Sequence, residues 1–128
     1  MRLNHLDLHV PDVAATRDFF VRFFGLRHEE TRGDNALAIL RDDAGMVFII
    51  SRPFARYGGT DQVEIAAQTY HIGFLLPERA EVDAAYALLK AADIPFWHEP
   101  RDIHGGYVFY CTAPGNILVE VGCRPLQS

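Results

Sequence analysis

An internal repeat constrains the fold of this chain more than any other feature of its sequence. His5 and His71 each lie near the start of a short stretch in which apolar and polar residues alternate. A proline follows each histidine after six residues, at Pro11 and Pro77, and a helical pattern begins after each proline. Proline favours the first turn of a helix. The two halves therefore predict two copies of one strand–helix unit, offset by 66 residues at this point.

The repeat continues through the rest of each half. Further along, an offset of 70 residues matches VFII (47–50) with ILVE (117–120). Each half predicts a strand, a helix and three strands, which defines an α+β fold of two tandem βαβββ modules in one domain over 1–128, with module one at about 1–53 and module two at about 68–123. The predicted strands are 2–10, 27–32, 36–41, 46–52, 69–76, 95–99, 106–112 and 116–122, and the predicted helices are 11–24 and 78–92.

Apolar stripes on the two predicted helices indicate which helix faces pack on a sheet. Apolar residues recur at three-, four- and seven-residue steps, the spacing of one helix face. Gly25 follows the first helix, where a left-handed cap residue is expected. The segment 53–67 lacks periodicity and is interpreted as a linker or a loop over a site. The stripe residues are Val13, Phe20, Phe23 and Phe24 in the first helix, and Val82, Ala85, Tyr86 and Leu89 in the second.

Strand alternation collects potential metal ligands on the faces that the helices leave uncovered. Successive strand side chains point to opposite faces, so His5, Asp7 and His9 share the face opposite Leu6 and Leu8. The same parity assigns His71 and Glu120 to uncovered faces. We expect these faces to curl together as a mixed sheet around a metal-binding cleft. A carboxylate among apolar residues is costly to bury unless it is paired or bound to a metal.

Two imidazoles and one carboxylate form a three-ligand set that leaves coordination positions open for substrate or water. The sequence therefore predicts one divalent metal ion bound by His5, His71 and Glu120. Fe(II) is favoured for such a set, and Mn(II), Ni(II), Co(II) or Zn(II) also suits it. At the offset of 70 residues, the counterpart of Glu120 in the first half is Ile50, which provides no ligand.

Composition excludes several other classes of function. The net charge is −5 with histidine neutral, and no run of basic residues is present, which argues against binding to nucleic acid or to an anionic membrane. No window approaches the roughly 20 apolar residues of a membrane span, and no signal peptide is recognisable. Cys111 and Cys123 are the only cysteines, so we expect a reduced, cytoplasmic protein without a disulfide framework.

Three motifs resemble those of the vicinal oxygen chelate superfamily, which includes glyoxalase I, fosfomycin-resistance proteins, bleomycin-binding proteins and extradiol dioxygenases. They are NHLDLHVPDV (4–13), YHIGFLLP (70–77) and FYCTAPGNILVE (109–120). The resemblance covers essentially the whole chain. It implies a cleft between paired βαβββ modules, metal ligands at His5, His71 and Glu120, a small-molecule substrate and a homodimer. Asn116 stands where this family has a glycine, and because Asn tolerates positive φ the register of Glu120 is expected to hold.

Within this superfamily, the last motif most resembles that of the extradiol dioxygenases. Tyr110 stands ten residues before Glu120, where those enzymes carry an active-site tyrosine, and His104 is the candidate for their preceding histidine. The resemblance therefore implies an oxidoreductase acting on a vicinal diol, with Tyr110 and His104 handling protons. His104 is closer to Tyr110 than that pattern expects, and 53–70 contains no histidine equivalent to the acid–base residue of the family.

Two alternative functions use the same cleft. The first is a glyoxalase-like lyase or isomerase, in which Asp7 or His9 on the face of His5 acts as the base. The second is a metal-free ligand-binding protein like the bleomycin-resistance proteins, although these usually lack the ligand set. Asp7 and His9 are also predicted to bind substrate. Aromatic residues predicted to line the cleft in either case are Phe54, Tyr57, Trp97 and Tyr107.

Overall fold

The structure of the chain is a computed structural model, and it describes residues 1–52 and 70–124. The chain divides into two compact units, Met1–Glu64 and Ile65–Ser128. The first unit contains β1 (His5–His9), α1 (Val13–Phe24), β2 (Arg27–Arg32), β3 (Leu37–Arg41) and β4 (Val47–Ser51). The second contains β5 (His71–Leu75), α2 (Arg79–Ala91), β6 (Phe96–Ile103), β7 (Gly106–Ala113) and β8 (Ile117–Cys123).

The first unit is a four-stranded mixed sheet with α1 packed on one face. Its strand order is β1-β4-β3-β2, with β1 parallel to β4 and the other neighbours antiparallel. Phe20 of α1 packs edge-on against Phe48 of β4, with ring centroids 5.0 Å apart. Val10, Leu40 and Ile50 are fully buried in the same core.

The ends of α1 are fixed by its capping residues. The Oδ1 atom of Asp12 accepts a hydrogen bond from the backbone N–H of Ala15 at 2.9 Å, which satisfies one of the free N–H groups at the start of the helix. Gly25 ends the helix in the left-handed conformation, with φ of 65°, as predicted. Within the helix, Phe19 is buried as well as the predicted Val13 and Phe20.

The second unit repeats this architecture, with strand order β5-β8-β7-β6 and β5 parallel to β8. Val82 and Leu89 of α2 are buried against the sheet. Tyr86 extends this packing through ring contacts with Phe96 and Phe109, with centroid distances of 4.7 and 5.6 Å. The helix begins at a turn in which the backbone N–H of Glu78 donates to the Glu81 side chain at 3.0 Å.

The turn before Glu120 has the backbone conformation that the sequence predicted. Gly115 and Asn116 connect β7 to β8 with φ values of 81° and 62°. Asparagine is among the few residues other than glycine that adopt positive φ readily. The substitution of Asn for the expected glycine therefore leaves the turn intact.

The predicted fold class, α+β with two tandem βαβββ modules, is confirmed, and each module forms its own four-stranded sheet. No helix in the described ranges is long and apolar enough to cross a membrane. The predicted linker at 53–67, with the aromatic residues Phe54 and Tyr57, lies outside the described residues.

Candidate metal centre

Glu120 lies in the middle of β8, on the face of the second sheet opposite α2. Its neighbours Val119 and Val121 are buried on the helix side, so strand alternation directs the carboxylate to the other side. The Glu120 side chain is only 15% exposed. A charged group with so little access to water requires hydrogen-bond or ionic partners.

Tyr110 and Arg124 supply those partners. Tyr110 lies directly opposite Glu120 in the β7–β8 ladder, and its hydroxyl donates to Oε1 of Glu120 at 2.7 Å. An Nη2 hydrogen of Arg124 donates to the same oxygen at 3.3 Å. Two effects raise the pKa of Tyr110 to about 12: desolvation by burial, which is the larger, and the hydrogen bond to Glu120. The phenol therefore stays protonated at neutral pH and acts as a hydrogen-bond donor.

His71 lies on the same face as Glu120 and Tyr110. In the parallel β5–β8 pair, Gly73 is opposite Glu120 and His71 is two residues earlier, so strand parity places the imidazole on the carboxylate side. The imidazole is also 5.6 Å from the Tyr110 ring between centroids, in an edge-on arrangement. The structure thus brings together on one face two of the three predicted ligands, His71 and Glu120, and the predicted catalytic residue Tyr110.

Gly73 opens space beside the carboxylate. A Cβ atom built at this position would lie 3.3 Å from Oε2 of Glu120, closer than ordinary van der Waals contact. Glycine inside a strand often marks the close approach of another group. Gly73 was not predicted as a site residue, because its role depends on which residue of β8 lies opposite.

An aromatic cluster surrounds Tyr110 on the same face. The Trp97 ring stacks on the Tyr110 ring with a centroid distance of 5.7 Å and an interplanar angle of 29°, and Trp97 remains 46% exposed. The His98 imidazole contacts the Tyr110 ring edge-on at 5.7 Å. Trp97 was predicted to bind substrate, whereas His98 was not identified as a site residue. The observation that identifies His98 is its pairing with Tyr110 in the β6–β7 ladder.

In the first unit, the predicted residues of β1 share one face as expected. His5 is exposed, and its Nδ1 atom is 2.7 Å from Oδ1 of Asn4. Asp7 accepts a hydrogen bond of 2.6 Å from the hydroxyl of Ser51, a fully buried residue of β4. His9 is half-buried and lies opposite Ser51 in the ladder. Ser51 was not predicted as a site residue, because its hydrogen bond to Asp7 arises only when β4 pairs with β1.

The strand registers correct one detail of the repeat. Val47 pairs with His5, and Leu118 pairs with His71, so the two modules correspond at an offset of 71 residues in these strands. At this offset the counterpart of Glu120 is Ile49. The predicted counterpart, Ile50, is wrong by one residue, since Ile50 is fully buried in the core. Isoleucine provides no metal ligand in either case.

The other two predicted residues of the second unit lie in the β6–β7 turn and on the α2 side of β7. His104 occupies the turn between β6 and β7 with φ of 53°, and its backbone carbonyl accepts a hydrogen bond of 2.5 Å from Arg124. Tyr107 is on the α2 side of β7, where its hydroxyl donates to Asp83 at 2.6 Å. The guanidinium of Arg79 lies 3.9 Å from the centroid of the Tyr107 ring. Alternation along β7 thus places Tyr107 and Tyr110 on opposite faces, so Tyr107 does not join the cluster around Glu120.

The donors present fit a metal centre in part. Within the described residues of each unit, no three His, Cys, Asp or Glu side chains converge to hold a metal ion. The predicted set takes His5 from the first unit and His71 and Glu120 from the second, and it stays a prediction. The observation that favours it is the arrangement of the Glu120 carboxylate, to which Tyr110 and Arg124 donate hydrogen bonds. Gly73 leaves space beside this carboxylate, and His71 lies on the same face of the sheet. Imidazole and carboxylate are suitable ligands for first-row divalent metals.

Comparison with known proteins places the chain in a family. The sequence matches the Glyoxalase/Bleomycin resistance protein/Dioxygenase superfamily over residues 2–121. It is 33% identical over 115 residues to an uncharacterized protein of Pseudomonas aeruginosa, covering 85% of this chain and 77% of that protein. The solved structure of a possible glyoxalase from Bacillus cereus is 34% identical, with a TM-score of 0.82 and coverage of 96% of this chain and 99% of that one.

A more distant structure shares the fold alone. Lactoylglutathione lyase from Agrobacterium tumefaciens is 22% identical, with a TM-score of 0.73 and coverage of 95% of this chain and 92% of that one. The profile match over nearly the whole chain, together with these relatives, agrees with the two βαβββ units seen in the structure. The chain therefore belongs to the glyoxalase/bleomycin resistance protein/dioxygenase superfamily.

Proposed function

We propose that this protein is a metal-dependent enzyme acting on a small molecule with two adjacent oxygen atoms, and that His5, His71 and Glu120 bind the metal. Proteins of this superfamily typically bind divalent metal ions, although the superfamily includes proteins that are not enzymes. The observation that carries the proposal is the mostly buried carboxylate of Glu120, which Tyr110 and Arg124 hold on the face of His71. Fe(II) is the favoured metal for two imidazoles and one carboxylate.

The residues around Glu120 suggest how substrate is held. A divalent metal in this position would supply Lewis acidity to the oxygen atoms of the substrate. Tyr110 keeps its proton at neutral pH and fixes the carboxylate through its hydroxyl. The exposed part of Trp97 offers an aromatic surface beside Tyr110 on which a planar substrate can stack.

Ring opening of an aromatic vicinal diol, with both atoms of O2 entering the product, is the first candidate reaction. The position of Tyr110 ten residues before Glu120 and the exposed Trp97 surface support it. His104 is left out of this proposal, because it lies in the β6–β7 turn, whereas the His98 imidazole contacts the Tyr110 ring. Proton transfer in this reaction is therefore assigned to Tyr110 and His98, whose rings are in contact.

A glyoxalase-like lyase or isomerase reaction is the second candidate, and the pair formed by Asp7 and Ser51 supports it. The hydroxyl of Ser51 donates to Asp7 at 2.6 Å, which orients a carboxylate two residues from His5 on the same strand face. An oriented carboxylate next to a metal ligand is suited to remove a proton from a carbon adjacent to a carbonyl group. In this reaction Asp7 is the base, and His9 on the same face contacts the substrate.

Metal content tests the proposal directly. Protein purified without a chelator or a polyhistidine tag is expected to contain about one metal ion per chain by elemental mass spectrometry. His5→Ala, His71→Ala and Glu120→Ala should each lose this metal, whereas His28→Ala, in strand β2, is the matched control and should retain it. If the wild-type protein binds neither Fe(II) nor Mn(II) under anaerobic conditions, the proposal is wrong and a metal-free ligand-binding protein remains.

The bound metal then directs the choice of assay. O2 consumption with catechols, abolished in Glu120→Ala, would support ring opening. Isomerase or lyase turnover without O2, lost in Asp7→Asn and retained in His28→Ala, would support the second candidate instead.

We also propose that the protein is a homodimer. Superfamily members are commonly dimeric, and the outer strands of each sheet, β1 and β2 in the first unit and β5 and β6 in the second, have one neighbour each within their sheet. Such edges are generally protected by charge, by a covering segment or by another chain. Light scattering coupled to size-exclusion chromatography should give twice the chain mass of 14.4 kDa, and a monomer mass would contradict this proposal.

A further inference from the structure

The two oxygens of Glu120 have different surroundings. The Tyr110 hydroxyl and Arg124 Nη2 both donate to Oε1, at 2.7 and 3.3 Å. A carboxylate oxygen has two lone pairs, so two donors occupy the accepting capacity of Oε1. These hydrogen bonds fix the rotation of the carboxylate and direct Oε2 away from both donors.

Gly73 lies on the Oε2 side. It faces Glu120 across the β5–β8 pair, and a Cβ atom there would lie 3.3 Å from Oε2. Gly73 is not among the residues with positive φ, so the backbone does not require glycine at this point. Glycine also weakens a strand interior, since it packs no side chain. We therefore attribute the glycine at position 73 to the space that it leaves beside Oε2 of Glu120.

We propose that Tyr110, Arg124 and Gly73 select Oε2 of Glu120 as the single atom that binds the metal. The inference rests on the proposed function, because it assumes that Glu120 is a metal ligand. Tyr110 and Arg124 are positioning residues that occupy Oε1, and Gly73 keeps the approach to Oε2 open. Ligation through one oxygen limits Glu120 to one coordination position and leaves others for a substrate that binds through two oxygens.

Two variants test the inference without changing a ligand. Tyr110→Phe removes the hydroxyl and keeps the ring, and Gly73→Ala adds one methyl group beside Oε2. Both are expected to weaken Mn(II) binding by roughly 10- to 100-fold, as loss of groups that orient metal ligands generally does. Tyr86→Phe is the matched control, because its ring packs on the α2 side of the same unit, and it should bind Mn(II) like the wild type. Calorimetric titration with Mn(II), and with Fe(II) under argon, gives the dissociation constants.

Arg124→Gln separates orientation from charge. The positive charge of Arg124 repels a metal cation bound nearby. If charge were the only effect, its removal would therefore tighten the binding of a divalent cation. Loss of a donor that orients the carboxylate would weaken it. A larger dissociation constant for Mn(II) in Arg124→Gln therefore supports the inference, and an equal or smaller one overturns the role of Arg124.

The outcomes distinguish the inference from the proposed function. Failure of the wild-type protein to bind Mn(II) or Fe(II) would refute the proposed function itself. Normal binding by wild type, Tyr110→Phe and Gly73→Ala together would overturn the inference and leave the proposed function intact. The thermal midpoint of each metal-free variant shows whether it folds. If one variant does not fold, the other one and Arg124→Gln decide the question by the same criterion.

Discussion

The two cysteines of the second unit differ in access to solvent, and their reactivity should differ accordingly. Cys111 is fully buried, and desolvation raises the pKa of its thiol to about 12. Cys123 is half-buried, and its Sγ donates to the carbonyl of Pro77 at 3.3 Å. Because the thiolate is the reactive form, an alkylating reagent at pH 8 should modify Cys123 and spare Cys111 in the folded protein. Intact mass spectrometry should show one adduct when the protein is folded and two in denaturant, and two adducts in the folded protein would contradict this prediction.

Phe20 is the largest fully buried side chain described in the first unit. It is fully buried, and its ring contacts those of Phe19 and Phe48 at centroid distances of 5.2 and 5.0 Å. Phe20→Ala should lower the free energy of unfolding by about 3–5 kcal/mol, since it removes apolar contacts and leaves a cavity. Val21→Ala, an exposed position on the same helix, is the control and should change stability by less than about 1 kcal/mol. Urea denaturation followed by circular dichroism gives both values.

At the scale of single residues, the sequence predicted side-chain faces better than side-chain partners. Alternation within β5 and within β8, each judged against its helix-facing apolar residues, was sufficient to place His71 and Glu120 on the same side of the second sheet. Ser51, Gly73 and Arg124 were missed because their roles arise from neighbours across the sheet or beyond the strand end. Those neighbours depend on which strands pair and on where the chain runs after β8, and the alternation within one strand carries no information about either.

At the scale of elements, helix α1 has a testable cap. The side chain of Asp12 accepts the N–H of Ala15 at 2.9 Å, and loss of such a cap generally costs about 0.5–2 kcal/mol. Asp12→Ala should therefore lower the free energy of unfolding by about 1 kcal/mol. Asp12→Asn keeps the accepting oxygen and should stay close to the wild type. Equal losses in both variants, measured by denaturation, would show that the cap contributes little.

Element boundaries were predicted well where local chemistry sets them. Strand β2 has its predicted bounds, and α1 and α2 begin and end within two residues of theirs, because proline, cap residues and apolar stripes act locally. Strand β6 was predicted to end at 99 but continues to Ile103, since its pairing with β7 sustains it beyond the apolar pattern.

The repeat register was predicted less well than the elements. The predicted offset of 70 residues would align Gly45 with Gly115, whereas the strand pairings, at an offset of 71, align Gly45 with Asn116. Gly45 and Asn116 have φ values of 90° and 62°. The alignment of two glycines was misleading, because the equivalent position in the second unit is occupied by Asn. The shared requirement is for positive φ, which Asn and Gly both satisfy.

At the scale of the whole molecule, the described surface carries acidic residues paired with arginine in a chain of net charge −5. Arg41 binds Glu29 through two nitrogens, at 2.6 and 3.3 Å, and Arg32 binds Glu30 in the same way, at 3.0 and 3.1 Å. Arg79 binds both carboxylate oxygens of Asp102. These pairs are solvent-exposed, so each one alone contributes little to stability.

Together the pairs should give stability a weak dependence on acidic pH. The hydrogen bond and then the charge of each arginine lower the pKa of Glu29, Glu30 and Asp102 below their usual values of 4.5, 4.5 and 3.8. The unfolded chain therefore binds protons first as pH falls, and the stability present above pH 4.5 is lost as pH falls through the lowered pKa values.

The variant with Glu29→Gln, Glu30→Gln and Asp102→Asn should lose less stability between pH 5 and pH 3 than the wild type. The difference should shrink in about 1 M NaCl, which screens exposed charges. Thermal midpoints across this range test the prediction, and parallel pH profiles for the two proteins at low salt would contradict it.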